Sequence, residues 1–279
     1  MTVARLRRLD AELVRRGLAR SRQHAGELVG AGRVTVAGSV AHKGTTQVDP
    51  AVPIVVIADD RDPGYASRGG HKLAGALDRF AAPGGAGADP SGSLSVSGRH
   101  ALDAGASTGG FTDVLLRRGA AHVVAVDVGY GQLAWSLRTD DRVTVLDRQN
   151  VRDLTPDRLP YRPDLVVADL SFISLRLVLP ALVACAGSAA DLVVMVKPQF
   201  EVGRERLGAG GVVRDPALRR EALASVAETA ARWGLGVAGA VASPLPGPSG
   251  NVEYFLWLRD GAPPPDVGRL AAAVEEGPR

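Results

Sequence analysis

Two lysines and two carboxylates stand in this chain where a buried charge would need a partner. In Val194-Met195-Val196-Lys197-Pro198-Gln199-Phe200 a lysine follows a strand-like apolar run, and in Val166-Val167-Ala168-Asp169-Leu170-Ser171 an aspartate does the same. A lysine in that position is costly to bury unless paired, and Asp169 on a neighbouring strand is its natural partner. Glu253 opens the last apolar run, Tyr254 to Leu258. If that strand runs antiparallel, its start lies at the edge where the other strands end. Lys72, in Ser67-Arg68-Gly69-Gly70-His71-Lys72-Leu73, falls in the first turn of an expected helix, where a cation opposes the helix dipole. Two carboxylates and two ammoniums can thus converge on one cleft. Such a set can move a proton or steady developing negative charge.

The second chemical feature is the turn Leu102-Asp103-Ala104-Gly105-Ala106-Ser107-Thr108-Gly109-Gly110-Phe111. Apolar residues feed an aspartate into a run with almost no side chains, and a helical pattern (Phe111, Val114, Leu115) follows. Such a strand-turn-helix lets a flat ligand lie against backbone. The dinucleotide fingerprint G-x-G-x-x-G is not met, because position 107 is Ser, so a nicotinamide cofactor is disfavoured. On spacing alone the stretch serves equally as a nucleoside-cofactor loop and as a plain structural turn.

The elements that must position these groups are read from periodicity. Strands are expected at 101–103, 123–127, 143–146, 165–169, 192–196, 237–242 and 254–258, with helices from Phe111 to about Arg118, around 133–138 and over 217–233. Apolar strands separated by helices indicate a mainly parallel α/β sheet covered on both faces. In such sheets ligands bind at the carboxyl ends of the strands. Asp103, Asp127, Asp147 (with Gln149 and Asn150), Asp169 and Lys197 each follow a strand. Any one of them reads as a solvent contact; five together point to a ligand edge. Asp127, 24 residues beyond Asp103, stands where a carboxylate bonds the ribose of a nucleoside cofactor.

Composition bounds the class. With 279 residues, 46% hydrophobic and 23% charged, two globular domains are expected. The single cysteine, Cys185, excludes an internal disulfide framework and reads as packing material. The longest uncharged apolar run, 177–190, is 14 residues with Pro180 inside it, short of the ~18 that a membrane span needs. No apolar leader is visible at the N-terminus, and the cytoplasm is the expected location. His24, His42, His71, His100 and His122 show no ligand spacing, and no metal is expected.

Net charge is +3, but residues 1–50 carry nine cations (Arg5, Arg7, Arg8, Arg15, Arg16, Arg20, Arg22, Arg33, Lys43) against four acids, a balance of 9 − 4 = +5. Leu6, Leu9 and Leu13 suggest a first helix stopped at Gly17, Ser21 caps a second carrying Ala25, Leu28 and Val29, and Val34, Val36, Val40 and 52–57 suggest a small β meander. The arginines read either as a solvated helix face or as a surface for a polyanion. Residues 81–98, rich in Gly, Pro and Ala, read as a flexible insertion unable to pack a core, and the Pro-rich end after Gly261 as a frayed tail. The domains expected are 1–60, a linker at 61–67, and 68–260.

Arg8-Leu9-Asp10, Gly17-Leu18-Ala19-Arg20-Ser21-Arg22 and Gly32-Arg33-Val34-Thr35-Val36 resemble the signature of the S4 RNA-binding domain. The second domain is similar to FtsJ-like RNA ribose 2′-O-methyltransferases, through 67–73, 102–111, 166–171, 196–200 and 251–257. Together they resemble the TlyA, or haemolysin A-like, rRNA methyltransferases. The resemblance implies a Rossmann-like fold, S-adenosylmethionine as cofactor and a catalytic tetrad of Lys72, Asp169, Lys197 and Glu253. It implies cofactor contacts at Asp103, Gly105, Ala106, Ser107, Thr108, Gly109, Gly110, Phe111, Asp127, Val128, Asp147, Gln149, Asn150 and Asp169. Ribosomal RNA would be held by the nine N-terminal cations and Arg68, and a cytidine 2′-hydroxyl of the small or large subunit would be the target. In that chemistry Lys197 is either the proton acceptor or a charged group that steadies the alkoxide. The insertion at 81–98 and a linker without Trp depart from the family pattern. An RNA-binding assembly factor with an inert methyltransferase fold, and a cytolysin, are the competing readings.

Overall fold

The computed structural model describes residues 6–19, 21–57, 62–82, 93–247 and 249–277. The chain divides into two compact units, Met1–Arg68 and Gly69–Arg279.

The first unit begins with β1 (Arg7–Arg8), α1 (Leu9–Arg15) and α2 (Arg22–Gly30). The strands β2 (Val34–Val36), β3 (Ser39–Val40), β4 (Gln47–Val48) and β5 (Ile54–Val56) follow. The Ser21 hydroxyl accepts the His24 N–H and so caps α2. β3, β2 and β5 form an antiparallel sheet, and Ala37 and Gly38, both at positive φ, make the tight hairpin between β2 and β3. Leu9, Leu13, Ala25, Leu28, Val29 and Val34 close the core. Leu6 does not join the first helix: it is 57% exposed, because β1 pairs with β4 and α1 starts only at Leu9.

Two acids are buried in this basic unit. Glu12 lies fully inside and receives Arg15 at 2.6 Å and Arg16 at 2.7 Å; Asp10 receives Arg8 at 2.7 Å and Arg22 at 3.2 Å. Arg16 also donates to the carbonyls of Pro50 and Val52, tying α1 to the turn before β5. Hydrogen bonds from Arg15 hold the Glu12 carboxyl down to about 2, and those from Arg8 do the same for Asp10.

The second unit opens with α3 (Gly69–Ala81), which buries Leu73, Leu77 and Phe80. Then come β6 (His100–Ala104), α4 (Gly110–Arg117), β7 (His122–Val126), α5 (Trp135–Arg138), β8 (Val143–Leu146), β9 (Leu165–Ala168), α6 (Leu175–Cys185), β10 (Asp191–Val196), α7 (Pro198–Glu201), α8 (Pro216–Ala231), β11 (Leu235–Ala242), β12 (Tyr254–Asp260) and α9 (Val267–Glu276). The seven strands are ordered β11-β12-β10-β9-β6-β7-β8. β10, β9, β6, β7 and β8 are parallel, and β12 runs antiparallel to both its neighbours. The sheet is therefore mixed, with the direction reversed at the strand that Glu253 precedes. Cys185 is buried against α6's core neighbours, as packing requires.

Three expectations need correction. The C-terminal stretch is not a frayed tail: Asp266 caps α9, whose Leu270, Ala273 and Val274 enter the main core at helical spacing. Proline content masked that period. Most of the Gly-rich insertion (83–92) lies outside the described residues, but Leu94 and Val96 at its end are buried and Leu94 N–H bonds the Phe80 carbonyl. The expected helix around 133–138 forms only over Trp135–Arg138, since Gly129 and Gly131 hold the preceding chain in a loop.

Replacing Glu12 by Gln removes an acid that the fold has already paired with two arginines. Between about pH 4.5 and 2 the unfolded chain binds more protons here than the native one, so this contribution falls as pH is lowered through that window. The variant should lose about 1–3 kcal/mol at neutral pH. Hydrogen exchange of the 7–57 amides should also show a flatter acid dependence than wild type.

Candidate active site

Strand order reverses direction of growth between β6 and β9, so the loops after these two strands diverge into a crevice at the carboxyl edge. The turn 105–109 fills it. Gly105 has φ +90°, and a Cβ there would collide with the Asp169 carbonyl, so only glycine lets the two loops close. Its N–H and that of Ala106 both donate to the Val126 carbonyl, at 2.8 and 3.0 Å. Ser107 follows at φ +48°, a strained value for a side-chain-bearing residue. Its N–H donates to one oxygen of Asp127 at 2.8 Å while Gly129 N–H donates to the other at 2.7 Å. Asp127 thus clamps the first loop to the second, and each oxygen retains a lone pair for a ribose hydroxyl. Thr108, Gly109, Gly110 and Phe111 carry the chain into α4, Gly109 standing at its N-cap.

Asp103 lies beneath this turn with no exposure. Thr112 Oγ1 donates to one of its oxygens at 2.7 Å, and the other has no partner. Burial, with the nearby charges of Asp169 and Asp127, pushes the Asp103 carboxyl up to about 7. Of the three acids around this Gly turn, Asp103 holds its proton to about pH 7 and Asp169 is ion-paired with Lys197, so Asp127, bonded by backbone N–H groups, carries the turn's negative charge.

The remaining expected cofactor residues occupy the neighbouring loops. Asp147 accepts from Arg138 at 2.7 Å and from Gly131 N–H at 3.3 Å. The Gln149 side chain donates to the Asn150 carbonyl, and the Asn150 side chain caps the following 3-10 turn. Val128 is 67% exposed.

The four chemical groups form two ion pairs on one edge. Lys197 Nζ lies 2.6 Å from Asp169 Oδ1 and donates to Ser171 Oγ at 3.0 Å. Lys72 Nζ lies 2.5 Å from Glu253 Oε2, both buried. Val196 faces Tyr254 in the β10-β12 register, so the next pair outward is Lys197 and Glu253, about 5 Å apart in backbone. The reversed β12 is what brings Glu253 there. Among the described residues no cluster of three His, Cys, Asp or Glu side chains could hold a metal.

An aromatic feature escaped the sequence reading. Phe172, three residues after Asp169, is 91% exposed at φ +64°, with its ring centroid 5.3 Å from that of Phe200, three residues after Lys197. The paired spacing from the two charged residues was the available signal.

The sequence matches the FtsJ-like methyltransferase family over residues 65–260 and the S4 domain over residues 7–51. The chain belongs to the FtsJ-like methyltransferase family. It is 60% identical to the 16S/23S rRNA (cytidine-2′-O)-methyltransferase TlyA of Mycobacterium tuberculosis, over 92% of this chain and 91% of that one. It is 34% identical to Hemolysin A of Brachyspira hyodysenteriae, over 89% and 98%. A solved structure from Streptococcus thermophilus, also named a hemolysin, superposes with a TM-score of 0.75 at 36% identity, covering 98% of this chain and 96% of that one. This protein is an rRNA methyltransferase of that family. Among the described residues no helix is long and apolar enough to cross a membrane.

The S4 match recasts the N-terminal cations. Arg8, Arg15, Arg16 and Arg22 serve the buried acids described above, and Arg33 donates to the Ile57 carbonyl and sits 3.8 Å from Asp62. Arg68 sits 4.0 Å from Glu27. Much of the excess charge that the sequence offered to a polyanion is thus engaged inside the domain. Arg7 and Lys43 are exposed with no acidic partner among the described residues, while Arg5 and Arg20 lie outside them.

The raised Asp103 carboxyl has a stability consequence of defined sign. Between about pH 4 and 7 the native state holds a proton that the unfolded state has lost, so this stability is fully present below about pH 4 and is lost as pH rises through about 7. Asp103→Asn should remove that pH dependence and raise stability at pH 8 relative to pH 5, read from urea midpoints at the two pH values. An unchanged slope would show that Asp103 is ionised throughout.

Proposed function

We propose that this enzyme transfers a methyl group from S-adenosylmethionine to the 2′-hydroxyl of a cytidine in ribosomal RNA, in the cytoplasm, with the S4 domain holding the RNA. The observation that carries the proposal is Lys197, ion-paired with Asp169 and hydrogen-bonded to Ser171, beside the Lys72–Glu253 pair and the Gly105 turn. The chemistry is that for which the 60%-identical Mycobacterium tuberculosis relative is named.

The residues present fit such a cofactor. The Gly105 turn closes against the Asp169 carbonyl without a side chain, Asp127 keeps acceptor capacity for ribose, and the acidic groups around the turn suit a ligand with sulfonium and ammonium charges. When bound, that group supplies an electrophilic methyl.

A ribose hydroxyl is a poor nucleophile, and its oxygen gains negative charge only as its proton departs. Lys197 meets this oxygen with an N–H that Ser171 does not take, and Asp169 balances the ammonium at 2.6 Å. Lys72, aimed by Glu253, provides a second positive group on the same edge. Lys197, as an ammonium, has no lone pair for the hydroxyl proton, which passes to the Asp169 carboxylate as the carbon–oxygen bond forms. Holding both reactants in line contributes more than either charge alone. Phe172 and Phe200 offer an apolar face on which the target base can stack. Arg7, Lys43 and the outward parts of Arg8, Arg15 and Arg22 are the phosphate contacts of the S4 domain. An inert assembly factor would have no use for four paired catalytic groups.

Lys197→Met should lower single-turnover methyl transfer to rRNA by about 10²–10⁴-fold, with cofactor affinity by calorimetry nearly unchanged. Full transfer in that variant would remove the assignment. For Phe172→Ala, about 1–3 kcal/mol of base stacking should disappear, appearing as a weaker KM for rRNA with little change in cofactor binding.

A further inference from the structure

The stretch from just after α7 into the start of α8, residues 204–221, carries five arginines (Arg204, Arg206, Arg214, Arg219, Arg220) and three acids (Glu205, Asp215, Glu221), a balance of 5 − 3 = +2. The whole second unit holds 22 cations and 23 acids over residues 69–279, a balance of 22 − 23 = −1. The positive charge is therefore local.

Internal pairing consumes part of it. Arg206 is bound to Glu221 at 2.6 Å, and Arg219 donates to the Val213 carbonyl at 2.9 Å. The cavity beside this segment is lined by Arg176 paired with Glu201, Arg206 paired with Glu221, and Glu205, so it offers an anion no surplus positive charge. Arg204, Arg214 and Arg220 remain. Arg220, in α8, is half-buried, whereas Arg204 and Arg214 are exposed; neither of these two has an acidic partner among the described residues, and Arg214 makes a long 3.4 Å contact to the Ala209 carbonyl.

The segment is nonetheless built. Val202, Val213 and Ala222 form a small apolar core of their own, with Leu207 and Leu218 packed on it. A Cβ at Gly208 would come within 2.7 Å of the Val212 carbonyl, so the turn closes on glycine. Asn251, only 3% exposed, fastens this turn to the catalytic edge: its Oδ1 accepts Val213 N–H at 2.9 Å and its Nδ2 donates to the Gly211 carbonyl at 3.0 Å. Asn251 lies two residues before Glu253, and the segment starts soon after Lys197. The backbone that carries Arg214 is thus tied to a residue two positions before Glu253, and Arg204 stands seven residues after Lys197.

We propose that Arg204 and Arg214 form a phosphate-binding rim on the catalytic domain, gripping the RNA strand that carries the target ribose, with Asn251 setting the register between rim and reacting groups. This rests on the reading of RNA as substrate given above. Charge, rather than a fork-shaped contact, carries the interaction, because neither guanidinium has a neighbour that orients it.

The test uses the full chain, R204A/R214A and R204K/R214K, and purified ribosomal subunits. The alanine variant should lower the slope of log affinity against log salt by about 1.5–2, the value for two lost phosphate contacts, and raise KM for the subunit about tenfold or more. Cofactor affinity should stay at the wild-type value, and the lysine variant should restore the slope. An unchanged slope in the alanine variant overturns the rim. If wild type binds subunits with a slope that depends on these arginines but transfers no methyl group, the rim stands and the catalytic reading falls. Absence of any subunit binding by wild type overturns both.

Discussion

An ammonium at the end of an apolar strand has to be neutralised where it stands, because the interior cannot solvate it and the backbone offers it little. Lys197 follows six buried residues of β10, and its partner comes from β9, the parallel neighbour on one side. On the other side a parallel strand would have presented its amino end at the opposite edge. The reversed β12 instead presents Glu253 opposite Lys197, where it takes the second ammonium, Lys72 of α3. The antiparallel strand is thus more than an accident of topology. It lets two carboxylates and two lysines share an edge without leaving any of them unpaired in the core.

The parts of this arrangement that were legible in the sequence were those fixed by local pattern. β9 and β10 read as buried strands because they are continuous apolar runs, and Asp169 and Lys197 stood out as the polar residues that end them. Convergence of Glu253 was legible only conditionally, since no local pattern states the direction of β12. What stayed hidden depended on distant partners. The buried Asp191 at the start of β10 is satisfied by Trp257 at 2.7 Å and Arg99 at 2.7 Å, contacts 66 and 92 residues away. α9 was masked by prolines around it, though its Leu270, Ala273 and Val274 keep helical spacing. Only the spacing of Phe172 from Asp169 pointed to it, because its exposure is set by a left-handed backbone, which residue type does not announce.

Charge counting was the least dependable guide. The N-terminal excess of arginine suggested a polyanion surface, yet Asp10 and Glu12 draw four of these side chains inward, and their own burial requires it. The same arginines remain partly exposed, with Arg8 at 42%, Arg15 at 48% and Arg22 at 58%, so engagement with an internal acid and availability to a phosphate are compatible. An arginine held at one end by a carboxylate is pre-organised and loses less freedom on meeting RNA. In this domain the buried acids therefore do more than satisfy the core: they fix the cations that the surface presents.

A related economy applies under the Gly105 turn. Burial, joined by the nearby charges of Asp169 and Asp127, pushes the Asp103 carboxyl up to about 7, a cost to the unliganded fold that a cation would relieve. On the proposed reaction the ligand entering this site carries a sulfonium, and the ligand leaving it has lost that charge with the methyl group. The carboxylates then hold the spent ligand less firmly than the donor. The acidic turn that favours binding before transfer so favours release after it, and the asymmetry needs no movement of the fold. Lys72 and Lys197 stand outside this exchange, since each is already balanced by its own carboxylate. Their pairing with Glu253 and Asp169 lets the site discharge a cation without unbalancing the groups that face the ribose.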